Sequence, residues 1–241
     1  MENRLTAVTA TQGANVSVTR FGYDADGARV VMERPGGGWT IYAGELLEED
    51  RDAGGGLVGR RSYYYHGSRR VALRVGEDVH FLHPDHLGST SLTTDGNGGS
   101  AARQWYEPYG EVRWSTGALP TDYGFTGQQD VSSIGLVFMR ARFYHAGLGR
   151  FVSADTIVPV LMIPQDLNRY AYVRNHPLAY VDLSGHDPDP WNEVIEEVFR
   201  TADGNAVRAL ADLLTYSDLP AKYDLVDARV AWILKNTQVV P

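Results

Sequence analysis

The sequence contains no cysteine, which excludes disulfide bonds, thiolate nucleophiles and thiolate metal ligands. Lysine is almost absent, and a chain with a net charge of −8 lacks the clustered cations that bind phosphate backbones, so nucleic acid is not an expected partner. No run approaches the ~18 apolar residues of a membrane helix, and no secretory signal is recognisable at the start. These absences leave the cellular location open.

The composition changes near residue 187. All but one of the 26 glycines precede Asp187, whereas both lysines, Lys222 and Lys235, follow it. Such a shift predicts a junction between two segments with different structural needs. With 43% hydrophobic and 22% charged residues, the chain as a whole is typical of a folded globular protein.

Before this junction, short runs of β-branched and aromatic residues alternate with turn signals. Asp-Gly and Asn-Gly pairs adopt positive φ at little steric cost, so residues 1 to about 150 are predicted to be a succession of β-hairpins. Strands are expected at Arg61–Tyr65, Val71–Val75 and Val79–Leu82. The run LVFMRARFY (136–144) is interpreted as one strand with alternating faces. The clearest turn signals are YDADGAR (23–29), RPGGG (34–38), DAGGGL (52–57) and TTDGNGG (93–99).

After the junction the apolar period changes from two to 3.6. A helix is predicted over 190–202, with Asp189 as its N-cap and Pro190 as its first residue. Two more short helices are predicted, one ending before Pro220 and one near the C-terminus. The apolar stripe of the helix predicted over 190–202 consists of Trp191, Val194, Ile195, Val198 and Phe199.

Several segments resemble a known family. FGYDADGARV (21–30) is similar to a YD repeat, and LHPDHLGSTSLTTDGNG (82–98) resembles the motif leading into the RHS repeat-associated core domain. The rest of that core follows in order, as WYEPYGEV (105–112), YGFTGQQDVSSIGLVFMRARFYHAGLGRFVSADT (123–156) and LNRYAYVRNHPLAYVDLSGH (167–186).

The resemblance to RHS and YD-repeat proteins implies a mainly β fold of stacked hairpins with a small helical C-terminal segment. It divides the chain into partial YD-repeat hairpins (1–80), an RHS core domain (81–186) and a variable helical segment (187–241). In bacterial members the core closes a hollow β-strand shell and cuts off a C-terminal toxin. The implied partners are the chain's own C-terminal segment, an upstream shell, a secretion apparatus or an immunity protein, with no cofactor and no metal.

The same resemblance supplies candidate catalytic residues. Arg150 and Asp155 match the G-R-F-x-S-x-D motif, and Asp182 matches the aspartate of the cleavage motif Asp-Pro-x-Gly-Leu. The implied scissile bond is His186–Asp187, at the composition change. Two neighbouring carboxylates that share one proton can supply the base and the acid of amide hydrolysis, and a guanidinium can hold one of them anionic. An aspartic-type autoprotease acting once in cis is therefore expected.

Simpler interpretations of these residues stay open. Asp182 fits an Asx-turn, Asp155 fits a cap before Thr156, and Arg150 could form a structural ion pair with Asp155. The chain also departs from the motif, because Leu183 stands in place of proline and His186 in place of leucine. The roughly 80 residues ahead of the core are too few for a closed shell, so a fragment, a detached cassette or a shortened gene is expected.

No metal site is predicted. The densest group of potential ligands surrounds a turn that fits the family motif without metal: His66, His80, His83, Asp85 and His86. His145 and His176 lack the accompanying residues of a nuclease. With 14 tyrosines and 5 tryptophans, the alternative function is a non-catalytic β-shell or an adhesion or carbohydrate-binding module, or a truncated remnant of one.

Overall fold

The computed structural model describes residues 4–13, 15–67, 69–156 and 164–186. All of them belong to the first of two units into which the chain divides, Met1–Pro188. The second unit, Asp189–Pro241, lies outside the described residues, and so do the three helices predicted there. Within the described ranges, no helix has the length and apolar character needed to span a membrane.

Eleven antiparallel strands lie in chain order in one large sheet, so each strand pairs with the next. This meander confirms the predicted succession of hairpins, and the strands predicted within 61–82 are parts of three consecutive strands, Leu57–His66, Arg69–Val75 and Asp78–Pro84. The strands are β1 (Ala7–Gln12), β2 (Asn15–Tyr23), β3 (Arg29–Glu33), β4 (Trp39–Ala43), β5 (Leu47–Arg51), β6 (Leu57–His66), β7 (Arg69–Val75), β8 (Asp78–Pro84), β9 (Thr90–Asp95), β10 (Ser100–Tyr106) and β11 (Val112–Thr116).

Six turns between these strands share one hydrogen-bond pattern, and all four predicted turn segments are among them. The N–H of the first residue donates to the carbonyl four residues on, and its own carbonyl accepts from the N–H three residues on. In the turn after β9, Asp95 Oδ1 also accepts from Asn97 N at 2.9 Å and from Gly99 N at 2.8 Å. The fourth residue is always a glycine at positive φ, where a side chain would be strained. These glycines are Gly27, Gly37, Gly55, Gly88, Gly98 and Gly110.

A second, four-stranded sheet contains the segment predicted as one strand over 136–144. That prediction is wrong, because Arg140 adopts φ 52 and the chain reverses, pairing Met139 with Arg142. No glycine, proline or asparagine marks this turn, and the alternation of apolar residues continues through it. The sequence pattern therefore does not indicate the reversal. The elements are β12 (Gln129–Val131), β13 (Leu136–Met139), β14 (Arg142–His145) and β15 (Arg150–Phe151), with short 3-10 turns at Phe125–Gly127, Ala146–Leu148, Pro164–Leu167 and Val173–Asn175.

Aromatic side chains join the small sheet to the large one. The ring centroids of Phe21 on β2 and Phe143 on β14 are 4.8 Å apart, and those of Tyr63 and Tyr123 are 5.1 Å apart in an edge-to-face contact. A third buried cluster holds the last loops against the small sheet. Its members are Phe125, Val137, Met139, Tyr144, Phe151, Tyr172 and Val173.

Candidate functional site

The structure brings two of the three predicted catalytic residues together. Asp155 and Asp182 are 2% and 1% exposed, although they lie in separate loops. Arg150 is on β15 with an exposed side chain, and it lines a surface cavity that also includes Glu107 and Glu111. The guanidinium of Arg150 therefore lies at the surface, whereas the two carboxylates are buried.

The guanidinium beside both carboxylates belongs to Arg142, which the sequence did not single out as a candidate. Its Nη2 atom lies 2.8 Å from Asp155 Oδ2 and 3.6 Å from Asp182 Oδ2. The two carboxylate oxygens are thus separated by no more than the sum of these distances. Arg142 is 4% exposed, and charges so deeply buried are tolerated only when they are paired.

The β13–β14 hairpin aims Arg142 at the aspartates. The turn at Arg140 makes Arg142 the first residue of β14, opposite Met139. The guanidinium carbon then lies 3.5 Å from the ring centroid of Phe151, where a planar cation is attracted to the aromatic face. The Phe151 ring and the turn at Arg140 therefore set the position of the Arg142 guanidinium.

Arg142 and Arg169 also brace the segments that carry the aspartates. Arg142 Nε donates to the Gly185 carbonyl, and Nη1 donates to the Arg169 carbonyl at 3.0 Å. Arg169 donates through Nε and Nη2 to the Asp155 carbonyl, while the Asp155 N–H donates to the Arg169 carbonyl at 2.8 Å. These bonds tie the Asp155 loop to the turn after Asp182.

Asp182 organises its own turn with one oxygen and faces Arg142 with the other. Its Oδ1 accepts from Ser184 N at 3.1 Å and from Gly185 N at 2.8 Å, which is the Asx-turn of the simpler interpretation. Gly185 has φ 77, and a Cβ there would lie 1.8 Å from the Met139 carbonyl oxygen. Only glycine allows this turn to press against the hairpin that presents Arg142.

The residue before the predicted scissile bond is held in the same place. His186 Nδ1 lies 2.8 Å from Asp155 Oδ1, and the His186 N–H donates to Ser184 Oγ at 3.1 Å. Its side chain stays 29% exposed. The peptide therefore reaches the carboxylates through His186, while Asp187 lies outside the described residues.

Tyr172 is a buried, uncharged aromatic residue near Asp182. It is fully buried, and its ring centroid lies 4.7 Å from that of Tyr144. Burial raises the pKa of the Tyr172 hydroxyl. The phenol therefore stays protonated in the range where the carboxylates titrate.

Sequence reasoning missed Arg142, Arg169 and Ser184. Arg142 did carry a signal, because a cation inside an apolar strand segment is costly to bury unless an acid faces it. Its acids come from loops 13 and 40 residues further on, so the pairing itself is a tertiary property. Arg169 and Ser184 lie in loop segments, where polar residues carry no such signal.

A second buried polar cluster joins the two sheets. Glu48 on β5 accepts from Arg61 Nε at 2.7 Å, from Tyr63 at 3.0 Å and from Gln129 on β12 at 2.7 Å. Burial raises the pKa of Glu48, which the Arg61 cation partly opposes. The Glu48 carboxylate is therefore paired with a cation and hydrogen-bonded by other residues of the protein, which is typical of a group that stabilises the packing of two sheets.

Two of the potential metal ligands, Asp85 and His83, make other contacts. Asp85 Oδ1 accepts from Leu87 N and Ser89 N at 2.9 Å each, closing its turn, and His83 Nε2 lies 3.0 Å from Thr94 Oγ1. Among the residues with described positions, no three histidine or acidic side chains gather closely enough to hold a metal ion.

Comparisons with known proteins agree on one family. A family model described as the teneurin YD-shell matches residues 61–178. The chain is 28% identical over 193 residues to the tRNA nuclease WapA of Bacillus subtilis, a match covering 77% of this chain and 8% of that protein. It is 29% identical over 120 residues to the toxin subunit YenC1 of Yersinia entomophaga, covering 48% of this chain and 11% of that protein.

Solved structures show the same fold. The crystal structure of TcdB2–TccC3 matches 75% of this chain and 10% of that chain, with a TM-score of 0.63 at 20% identity. A structure of the Photorhabdus luminescens Tc holotoxin pore matches 76% of this chain and 10% of that chain, with a TM-score of 0.64 at 20% identity. The chain spans only about a tenth of these much longer proteins.

Proposed function

We propose that this chain, which belongs to the RHS/YD-repeat family, is an RHS core that cuts itself between His186 and Asp187. The toxin-related proteins that it resembles are much longer. The cut separates the variable segment 187–241 from the β-rich part. One observation carries this proposal: two buried carboxylates meet at one guanidinium, and one of them contacts the residue before the bond to be cut.

The distances favour different roles for the two aspartates. Arg142 Nη2 lies 2.8 Å from Asp155 Oδ2, and this close ion pair favours the ionised form of the carboxylate. The corresponding distance to Asp182 Oδ2 is 3.6 Å, beyond hydrogen-bond length, and two adjacent carboxylates ionise together only at a cost. Asp182 therefore carries the proton that the pair shares, and Asp155 acts as the base.

Hydrolysis then proceeds in two balanced steps. Asp155 takes a proton from water as the water oxygen bonds to the His186 carbonyl carbon, and the carbonyl electrons move onto its oxygen. Asp155 next gives that proton to the nitrogen of Asp187 while the C–N bond breaks and the carbonyl re-forms. The products are a carboxyl group on His186 and an amine on Asp187, and the site returns to its starting state.

Mass spectrometry of the freshly synthesised chain tests this proposal. The wild type is expected to yield a separate fragment of residues 187–241, and Asp155→Asn and Asp182→Asn are expected to stay intact because each removes an ionisable carboxyl. Asp26→Asn, in an exposed turn on the large sheet, is the matched control and should be cut like the wild type. An intact wild-type chain at neutral and mildly acidic pH contradicts self-cutting.

A second candidate is a non-catalytic β-module that binds a ligand by stacking. Trp105 and Trp114 are cross-strand partners at the edge of the large sheet, 56% and 43% exposed, with ring centroids 4.8 Å apart. Exposed indoles can stack on sugars or on another protein. This function is favoured if the wild-type chain stays uncut.

A further inference from the structure

The hydroxyl of Ser184 lies between one catalytic acid and the bond to be cut. Ser184 Oγ is 3.3 Å from Asp182 Oδ1 and 3.3 Å from the His186 carbonyl oxygen, and it accepts the His186 N–H at 3.1 Å. The hydroxyl has one hydrogen to donate, so these two oxygens compete for it.

The His186 carbonyl oxygen is the atom that becomes negative when water adds to the predicted scissile bond. Catalysis of acyl transfer depends strongly on a donor already aimed at that oxygen. The described bonds of Arg142 go to Gly185 O, to Arg169 O and to the two carboxylates. Ser184 Oγ is a hydroxyl donor that the structure places 3.3 Å from this oxygen.

We propose that Ser184 is a catalytic residue that donates a hydrogen bond to the oxyanion forming on His186. This inference rests on the proposed self-cutting function and adds a group outside its carboxylates and guanidinium. Ser184 keeps its proton throughout, so the balance of bonds and protons described above is unchanged.

The proposal also explains how Asp182 acts without touching the carbonyl. While Asp182 is ionised, its Oδ1 draws the Ser184 hydrogen away from His186, because a carboxylate is the stronger acceptor. When Asp182 carries the shared proton, the hydroxyl turns to the carbonyl. Among the described residues, the ionisable groups around this turn include Arg142, Arg169, Asp155, Asp182 and His186.

The test measures the rate of fragment release after a pulse of cell-free synthesis. Ser184→Val and Ser184→Thr have the same shape, and the exposed position leaves room for both. Thr keeps the hydroxyl and should cut within a few-fold of the wild-type rate, whereas Val and Ala should be slower by about 100-fold, as for loss of one oxyanion donor. Ser91→Ala removes a similar hydroxyl on β9, which lies 3.3 Å from the Ser89 carbonyl oxygen, and should leave the rate unchanged.

The outcomes separate this inference from the function on which it rests. Equal rates for the wild type and for the Val and Ala variants overturn the role of Ser184 and leave self-cutting intact. Equally slow Thr and Val variants also overturn it, because the hydroxyl would then not be the decisive feature. A wild-type chain that is never cut overturns both proposals together.

Discussion

The large sheet and the loops around Arg142 are built from contacts of different range. In the sheet, each turn is closed by bonds between residues two to four positions apart, as when Asp95 binds Asn97 and Gly99. Around Arg142, the decisive contacts join residues 13 to 43 positions apart, such as Arg142 with Asp155 and with Gly185. Local contacts give repeated, interchangeable turns, whereas distant contacts give one site that depends on several loops at once.

The largest effect is expected when the central cation is removed. Arg142→Met leaves two buried carboxylates without their cation and should lower the free energy of unfolding by about 3–5 kcal/mol, besides abolishing cleavage. Urea unfolding measures the loss. Arg150→Met is the control, with an expected change within about 0.5 kcal/mol because that side chain is exposed. Equal losses for the two arginines would contradict the assignment of Arg142.

The next effect comes from filling the space at Gly185. Gly185→Ala adds a Cβ at positive φ and 1.8 Å from the Met139 carbonyl oxygen, so the turn must move, at a cost of about 3 kcal/mol. Gly44→Ala has the same sign of φ but open space around it, and should cost about 1 kcal/mol. Thermal unfolding of both variants gives the comparison. A similar loss in the two would show that tertiary contact adds nothing at Gly185.

A pH effect is expected where the small sheet meets the loop before it. Burial, with a contribution from Asp122, raises the pKa of Asp130 from 3.8 to about 7. Between these values the folded state holds a proton that the unfolded state has lost, so stability is full below pH 4 and decreases as the pH rises to 7.

Three pKa units correspond to about 4 kcal/mol, and because Asp130 is only partly buried, solvent screening reduces the expected decrease to about 2 kcal/mol. Asp130→Asn should remove this decrease. Urea unfolding at a series of pH values measures it, with the exposed Asp26→Asn as control. A wild-type and an Asn variant with parallel profiles would show that Asp130 ionises freely in the folded protein.

The smallest effect is expected in a local turn of the large sheet. Asp95→Ala removes the side-chain acceptor of Asn97 N and Gly99 N but leaves the backbone bonds of the turn, so the loss should be about 1 kcal/mol. Thermal unfolding measures this loss, and cleavage should continue at the wild-type rate. A large loss of cleavage would mean that the sheet turns and the Arg142 site are coupled.

The range of contacts also explains what could be predicted. The turn segments 23–29, 34–38, 52–57 and 93–99 were evident because their glycines, and an Asp in three of the four, act on their immediate neighbours. The hairpin within 136–144 was missed because Arg140, a residue with no turn preference, takes φ 52 to let both arms reach the core. Family motifs identified Asp155 and Asp182, although periodicity alone would not have joined them.

The sequence by itself determined the β-rich class and the order of the hairpins, because turn chemistry is a local property of the chain. Family motifs also pointed to Asp155 and Asp182 as a candidate pair. Only the tertiary structure decided which arginine joins those acids. Arg142 does so because a reversed strand and the Phe151 ring carry it into the interior, while Arg150 remains at the surface. Choices between two nearby cations depend on burial and packing, and these arise only when distant segments meet.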